Sequence, residues 1–298
     1  MDATSDCGQF ALAVIAFVGS VFSPYYHWAG RKEPENHVAI NIALYGPGGR
    51  AWAMTERGRN SLTRSRTTLC IGNSRLVYSS GGLEIMFEEI ALPWPGQRLL
   101  PAKISGRIVV EPEIENDRLH ELDPEGHHIW RPVFPRARIS VLSDSLPEGG
   151  WQGEAYHDFN AGDRPVEADF RGWDWARGRS GGDAALILYD AVLKDGRRRA
   201  IGLTQAADGR SSYFSPPPRS PLPTGLWGVR GGIACDPRAS PKLLRRLEDT
   251  PFYNRALVRT SLSGDPVTMV HETLCCRRLA NPLVRLMLPF RMPRRPFG

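Results

Sequence analysis

No apolar run in the chain is long enough to cross a membrane as a helix, which takes about 20 residues. The richest stretch, Phe10 to Phe22, holds 13. Asp2 and Asp6 precede it where a secretory signal would carry basic residues, so it reads as a buried strand bending at Gly19-Ser20. Neither a signal peptide nor a transmembrane helix is expected. Cysteine is scarce: Cys7, Cys70, Cys235, Cys275 and Cys276 form an odd set without a C-x-x-C. That argues against structural bridges or a metal site and leaves reduced thiols in a cytoplasmic-type compartment as the simpler account. If Cys275 and Cys276 share a strand, they point to opposite faces. There is also no finger spacing, RNP-like strand or recognition-helix pattern, so the net charge of +6 does not indicate nucleic acid. A solvated basic surface accounts for that excess, and so does an anionic membrane surface.

Pro (25) and Gly (30) are abundant and scattered, punctuating the chain into short strands. Apolar runs between turn signals occur at His37 to Leu44, Thr68 to Ile71, Leu76 to Tyr78, Leu83 to Phe87, Ile104 to Val110 and Arg138 to Leu142. The series continues at Ala185 to Val192, Ala200 to Thr204, Leu257 to Ser261 and Met269 to Leu274. Such spacing predicts an all-β protein of closed or nearly closed antiparallel barrels or sandwiches. The length suggests two domains, 1–147 and 148–298, divided near Pro147-Glu148-Gly149-Gly150; a loop inside one domain fits the same residues. Helix is expected only at Lys242 to Leu247 and at Asn281 to Leu288, where Asn281 caps and Pro282 opens the helix. Ser215-Pro216-Pro217-Pro218 reads as a rigid surface connection.

Two short elements carry chemistry at strand spacing. His128 and Trp130 stand at i and i+2, as do Tyr156 and Asp158, so each pair projects from one strand face. Together they offer an acid, a base and two aromatic rings. The same residues also fit a packed core, with Asp158 opening a turn through Asn160 and Gly162. Trp173 and Trp175, in Phe170 to Trp175, read as a cavity wall or as a corner where arginines stack on indoles. The C-terminal stretch Asn281 to Gly298 mixes Leu, Met and Phe with arginines and no acid, which suits a membrane interface or a docking segment.

Several long strings resemble the acyclic carotenoid hydratases of purple phototrophic bacteria, also called hydroxyneurosporene synthases. They are IAFVGSVFSPYYHWA (15–29), NIALYGPGGRAWAMTERGR (41–59), HHIWRPVFP (127–135), GEAYHDFNAGDRPVEADFRGWDWARGR (153–179), LEDTPFYNRALVRT (247–260), PVTMVHE (266–272) and LMLPFRMPRR (286–295). The resemblance implies two lipocalin-like β domains and peripheral attachment at the cytoplasmic side of the inner or intracytoplasmic membrane. It implies cofactor-independent addition of water, at C1 with hydrogen at C2, to acyclic carotenoids such as neurosporene and lycopene. The family's His-x-Trp and Tyr-x-Asp motifs fall on His128, Trp130, Tyr156 and Asp158. His127 is a rival within the doublet, and the spacing selects His128.

Hydration of an isolated alkene must begin with protonation, leaving a tertiary cation that water captures. Asp158 is the expected acid, kept protonated by burial. Trp130 and, less strongly, Tyr156 are the expected π faces for the cation, and His128 holds the water or takes its proton. Two other readings use the same residues. A lipocalin-like carrier would bind a polyene without converting it, and a hydrolase would pair Asp158 with Asp163, Glu167 or Asp174.

Overall fold

The computed structural model describes residues 1–146, 149–180 and 184–295. Its regular structure is mostly antiparallel strand, as the all-β reading expects. By contacts the chain groups into two units, neither of them one continuous stretch. The first comprises Met1–Glu113, Arg136–His157 and Arg285–Gly298; the second comprises Ile114–Pro135 and Asp158–Val284. The division expected near Pro147 turns on residues 147 and 148, which lie outside the described residues.

A closed antiparallel barrel of eight strands makes up most of the first unit, with residues 114, 128–135 and 158–162 of its strands grouped with the second unit. Around the ring they run Asp2–Ser5, Ala11–Val18, Val38–Gly46, Gly49–Met54, Gly82–Ala91, Ala102–Ile114, His128–Ser143 and Gly149–Gly162, the last returning to the first. Closure leaves no strand of the ring with an unpaired edge. Ala11–Val18 pairs residue for residue with Val38–Tyr45, and Gly19 then turns the chain at φ +72°. Val38–Gly46 is buried at every position, and its one amide, Asn41, donates to the Ala53 carbonyl at 2.9 Å. Gly82–Ala91 alternates instead, with one face inward, as half-buried strands do.

The second unit carries an open seven-stranded sheet. Its order is Ser211–Phe214, Arg198–Gln205, Ala185–Leu193, Phe170–Arg179, Asp265–Cys275, Tyr253–Leu262 and Lys242–Asp249. Register sorts the central strands into two faces. Asp174 and Ala176 lie opposite Asp190 and Leu188, on the face whose core holds Leu186, Val258 and Met269. Trp173 and Trp175 lie opposite Ala191 and Tyr189, on the other face.

The structure corrects two local expectations. Lys242 to Leu247 is part of the strand Lys242–Asp249, not a helix. It pairs with Tyr253–Leu262 through shifts at Leu243/Arg245 and Arg246/Glu248, and that pairing with burial of Leu247 outweighs the helix preference of Lys, Leu and Arg. Cys275 ends a strand and Cys276 opens the short helix Cys276–Leu279, so the two do not alternate on one strand. All five cysteines are free. The helix Pro282–Arg291 forms as expected, with the Asn281 side chain accepting from the Leu283 N–H at 2.9 Å. Beyond it the chain is tied down at buried Glu56, whose N–H donates to Pro293 and whose carbonyl accepts from Arg295. Among the described residues, no helix is long and apolar enough to cross a membrane.

Candidate active site

His128 and Trp130 open the strand His128–Ser143 immediately after a turn built on Asp123. One carboxylate oxygen of Asp123 accepts from the N–H groups of Glu125 and His127, both at 3.1 Å, and the other from His128 at 2.7 Å. Burial pushes the Asp123 carboxyl up, yet these backbone donors outweigh it and hold it below the usual carboxylate range. The turn therefore fixes where the His-x-Trp pair begins. Across from it, a Cβ on Gly162 would lie 2.6 Å from His128 Nδ1, so only glycine leaves room for the imidazole there.

Trp130 and Asp158 are brought together as the alternation predicts. The Trp130 indole N–H donates to Asp158 Oδ2 at 3.2 Å, and the Asn160 amide donates to the same oxygen at 3.2 Å. Asp158 is half-buried, within the continuing strand Gly149–Gly162 rather than at a turn. Trp130 has no exposed surface. Its ring thus has no face to offer a ligand in this conformation, and its chemistry passes through the N–H.

An aromatic chain continues from Trp130 within the second unit. Its ring centroid lies 5.3 Å from Tyr189; Tyr189 lies 6.3 Å from Trp173, Trp173 6.0 Å from Phe170, and Phe170 4.9 Å from His128. Burial, and then the Asp158 charge, push the Tyr189 phenol well up, so it stays a neutral O–H. Trp173 keeps part of its surface exposed, whereas Trp175 is buried opposite Tyr189 in the register. His120 is the cross-strand partner of Trp130, with ring centroids 5.0 Å apart.

His128 is committed elsewhere. Its Nε2 lies 2.9 Å from Asp169 Oδ2, at the end of the short helix Val166–Asp169, and Arg164 pairs with the same carboxylate at 3.2 Å. His127, the rival in the doublet, meets exposed Asp163 at 2.9 Å. Tyr156 is buried and sits two residues before Asp158 on one strand face, but it groups with the first unit, where it pairs in register with Asp2. Two carboxylates of the hydrolase reading are engaged otherwise, Asp163 by His127. Asp174 lies on the far face of its strand, bonded to Thr273 at 2.6 Å and the Gly232 N–H at 3.1 Å and paired with Arg219.

Sequence reading missed His120, Asp123, Asp169 and Tyr189. The Asp-Pro-Glu-Gly run at 123–126 is a turn signal that pointed to Asp123. The other three have no local signature, because each acquires its neighbour through pairing or packing. Among the described residues no cluster of three or more His, Cys, Asp or Glu side chains has metal-binding geometry.

The first unit holds a separate pocket lined by Arg50, Trp52, Trp94, Phe290 and Arg291, with Leu92 and Pro93. The Arg50 guanidinium stands 3.2 Å from the Trp94 ring centroid and that of Arg291 4.2 Å from Trp52. Beside it, Leu286, Met287 and Phe290 on the helix Pro282–Arg291 are exposed, Phe290 to 85%.

Residues 14–297 match the family described as carotenoid hydratase CrtC. The chain is 45% identical to the acyclic carotenoid 1,2-hydratase of Rubrivivax gelatinosus, over 99% of this chain and 72% of that protein. It is 43% identical to the enzyme of the same name from Thiocapsa roseopersicina, over 99% of this chain and 72% of that one. With the Cereibacter sphaeroides protein of that name it shares 43% identity, over 95% of this chain and 98% of the relative. Among solved structures, "Crystal structure of CghA with Sch210972" overlays with a TM-score of 0.37 and 10% identity, covering 89% of this chain and 86% of that one.

Proposed function

Because the chain belongs to the carotenoid hydratase CrtC family, we propose that it adds water across the terminal C1–C2 double bond of acyclic carotenoids such as neurosporene and lycopene. The observation that carries the mechanism is the Asp158 carboxylate held at Oδ2 by the Trp130 N–H at the head of an aromatic chain. Two N–H groups at one oxygen favour the ionised form. An apolar polyene that strips water from half-buried Asp158 works against them and drives the carboxyl to take up a proton. Asp158 then delivers that proton to C2. The tertiary cation at C1 meets the part-exposed ring of Trp173, an attraction of up to about 2 kcal/mol when desolvated. Trp130 acts as a positioning group through its N–H, and His128, fixed by Asp169, positions the wall through Phe170. Trp175 backs the wall. Addition of water is redox-neutral and calls for no electron carrier.

The same proposal includes peripheral membrane contact. The exposed Leu283, Leu286, Met287 and Phe290 form the apolar side of a helix in a segment that has arginines and no acid, suited to an anionic interface. Attachment at the cytoplasmic face of the inner or intracytoplasmic membrane fits both the lipophilic substrate and the five free thiols. Phe290→Glu with Leu286→Glu should at least halve binding to phosphatidylglycerol vesicles; undiminished binding removes this surface from the proposal.

The test of the reaction compares the protein with its Asp158→Asn variant on lycopene in detergent micelles. The unaltered protein should yield pigment heavier by one water, and the folded variant none. Near-equal turnover by the variant removes Asp158 as the acid. Tight pigment binding without any mass gain by either protein replaces the hydratase with a carrier.

A further inference from the structure

Once Asp158 has given its proton to C2, something must hold the water that captures the cation and accept its proton. Sequence spacing offers His128, but its Nε2 is given to Asp169. His120 differs on each point. It is 8% exposed, its ring lies against Trp130 and 5.8 Å from Tyr213, and its Nε2 is buried with no hydrogen-bond partner among the described residues. Leaving a buried nitrogen without a partner is unfavourable, and a bound water relieves it.

Resting on the hydratase reading, we propose that His120 Nε2 holds the reacting water and is the general base of the hydration. As the water oxygen bonds to C1, its O–H bond breaks and the proton passes to Nε2. The imidazolium proton returns to the Asp158 carboxylate by way of solvent, so the cycle consumes one alkene and one water and leaves both residues as they began. Tyr213, on the edge strand Ser211–Phe214, is exposed beside the imidazole. The charged and titratable groups facing His120 are Arg118, stacked 4.7 Å over Tyr213, Arg199, Tyr213 itself, and Asp158 through Trp130. Burial first, then Arg118 and Arg199, push the imidazole down from its usual range, keeping it neutral and able to accept a proton.

Two measurements test this. His120→Gln keeps a polar group of similar reach without a base; kcat should fall about 100-fold with KM for lycopene within about threefold, matching the usual worth of a general base. Turnover within threefold of the unaltered protein overturns the assignment. Should that variant fail to fold, the exposed Arg118 and Arg199 supply the second measurement. The acid limb of kcat/KM falls as His120 becomes protonated, and replacing both arginines with Gln lifts its pKa, so the limb moves to higher pH. A limb that stays in place, or moves to lower pH, overturns the proposal; a purely structural His120 would not link those charges to the limb. If the unaltered protein forms no hydrated pigment, the hydratase reading itself fails. If it does and both His120 measurements are negative, only the base assignment falls.

Discussion

Replacing Trp130 with Phe removes one N–H group and leaves most of a buried ring in place, which isolates the role assigned to the Trp130–Asp158 bond. At 3.2 Å this bond sits at the long end of the N–H···O range, so it is taken at the low end for a charged partner, about 1.5 kcal/mol. At 1.36 kcal/mol per unit, that is about one unit of acidity for Asp158. The sign follows from which form the bond favours. The indole N–H stabilises the carboxylate, so without it the protonated acid persists to higher pH. Hydration requires that acid, so the alkaline limb of the rate profile should move up by about one pH unit. The plateau should change little, because the Trp130 ring has no exposed surface with which to meet the cation. Initial rates of 1-hydroxycarotenoid formation between pH 5 and 10, with pigment and detergent fixed, give both quantities. Asn160→Ala removes the second donor to the same oxygen and should move the limb in the same direction. A Trp130→Phe limb that stays in place or moves to lower pH refutes the reasoning. A plateau collapse with an unmoved limb would return Trp130 to the cation–π role.

Other consequences follow from the elements that hold the site. Gly162→Ala places a Cβ 2.6 Å from His128 Nδ1 and should lower kcat at least tenfold with the melting profile nearly unchanged; full activity would show that the imbalance is absorbed elsewhere. Asp169→Asn weakens the hold on His128 and should lower kcat more than it raises KM, measured on lycopene. The depressed Asp123 carboxyl contributes stability above its unfolded value near 4, and that contribution is lost as pH falls through its lower folded value. Asp123→Ala should therefore cost about 1–3 kcal/mol in urea at pH 7. The gap between variant and parent should narrow as pH approaches 3, and a gap independent of pH contradicts the assignment.

The strands were legible because their apolar alternation and glycine-rich turns are local properties. Val38–Gly46 and Gly82–Ala91 announce themselves in a handful of residues each. Lys242–Asp249 did not, since its Lys, Leu and Arg favour a helix until Tyr253–Leu262 supplies a pairing edge. The segmental make-up of the two units was illegible for a similar reason, as it depends on long-range pairing that composition does not encode. In the site, i, i+2 spacing was enough to put His128 with Trp130 and Tyr156 with Asp158 on common strand faces. Contact between Trp130 and Asp158 comes from the adjacency of two strands. His120 stayed hidden because only the short pairing of His120–Glu121 with Ile129–Trp130 turns it toward the indole. Tyr189 resembles any core aromatic until the register sets it opposite Trp175.

The central claim is a proton-initiated addition of water to a terminal double bond, and isotope labelling reads it directly. Lycopene incubated with the purified protein in D2O should give a product carrying a hydroxyl at C1 and one deuterium at C2. Pigment recovered unchanged, or a hydroxylated product without deuterium at C2, would contradict the account.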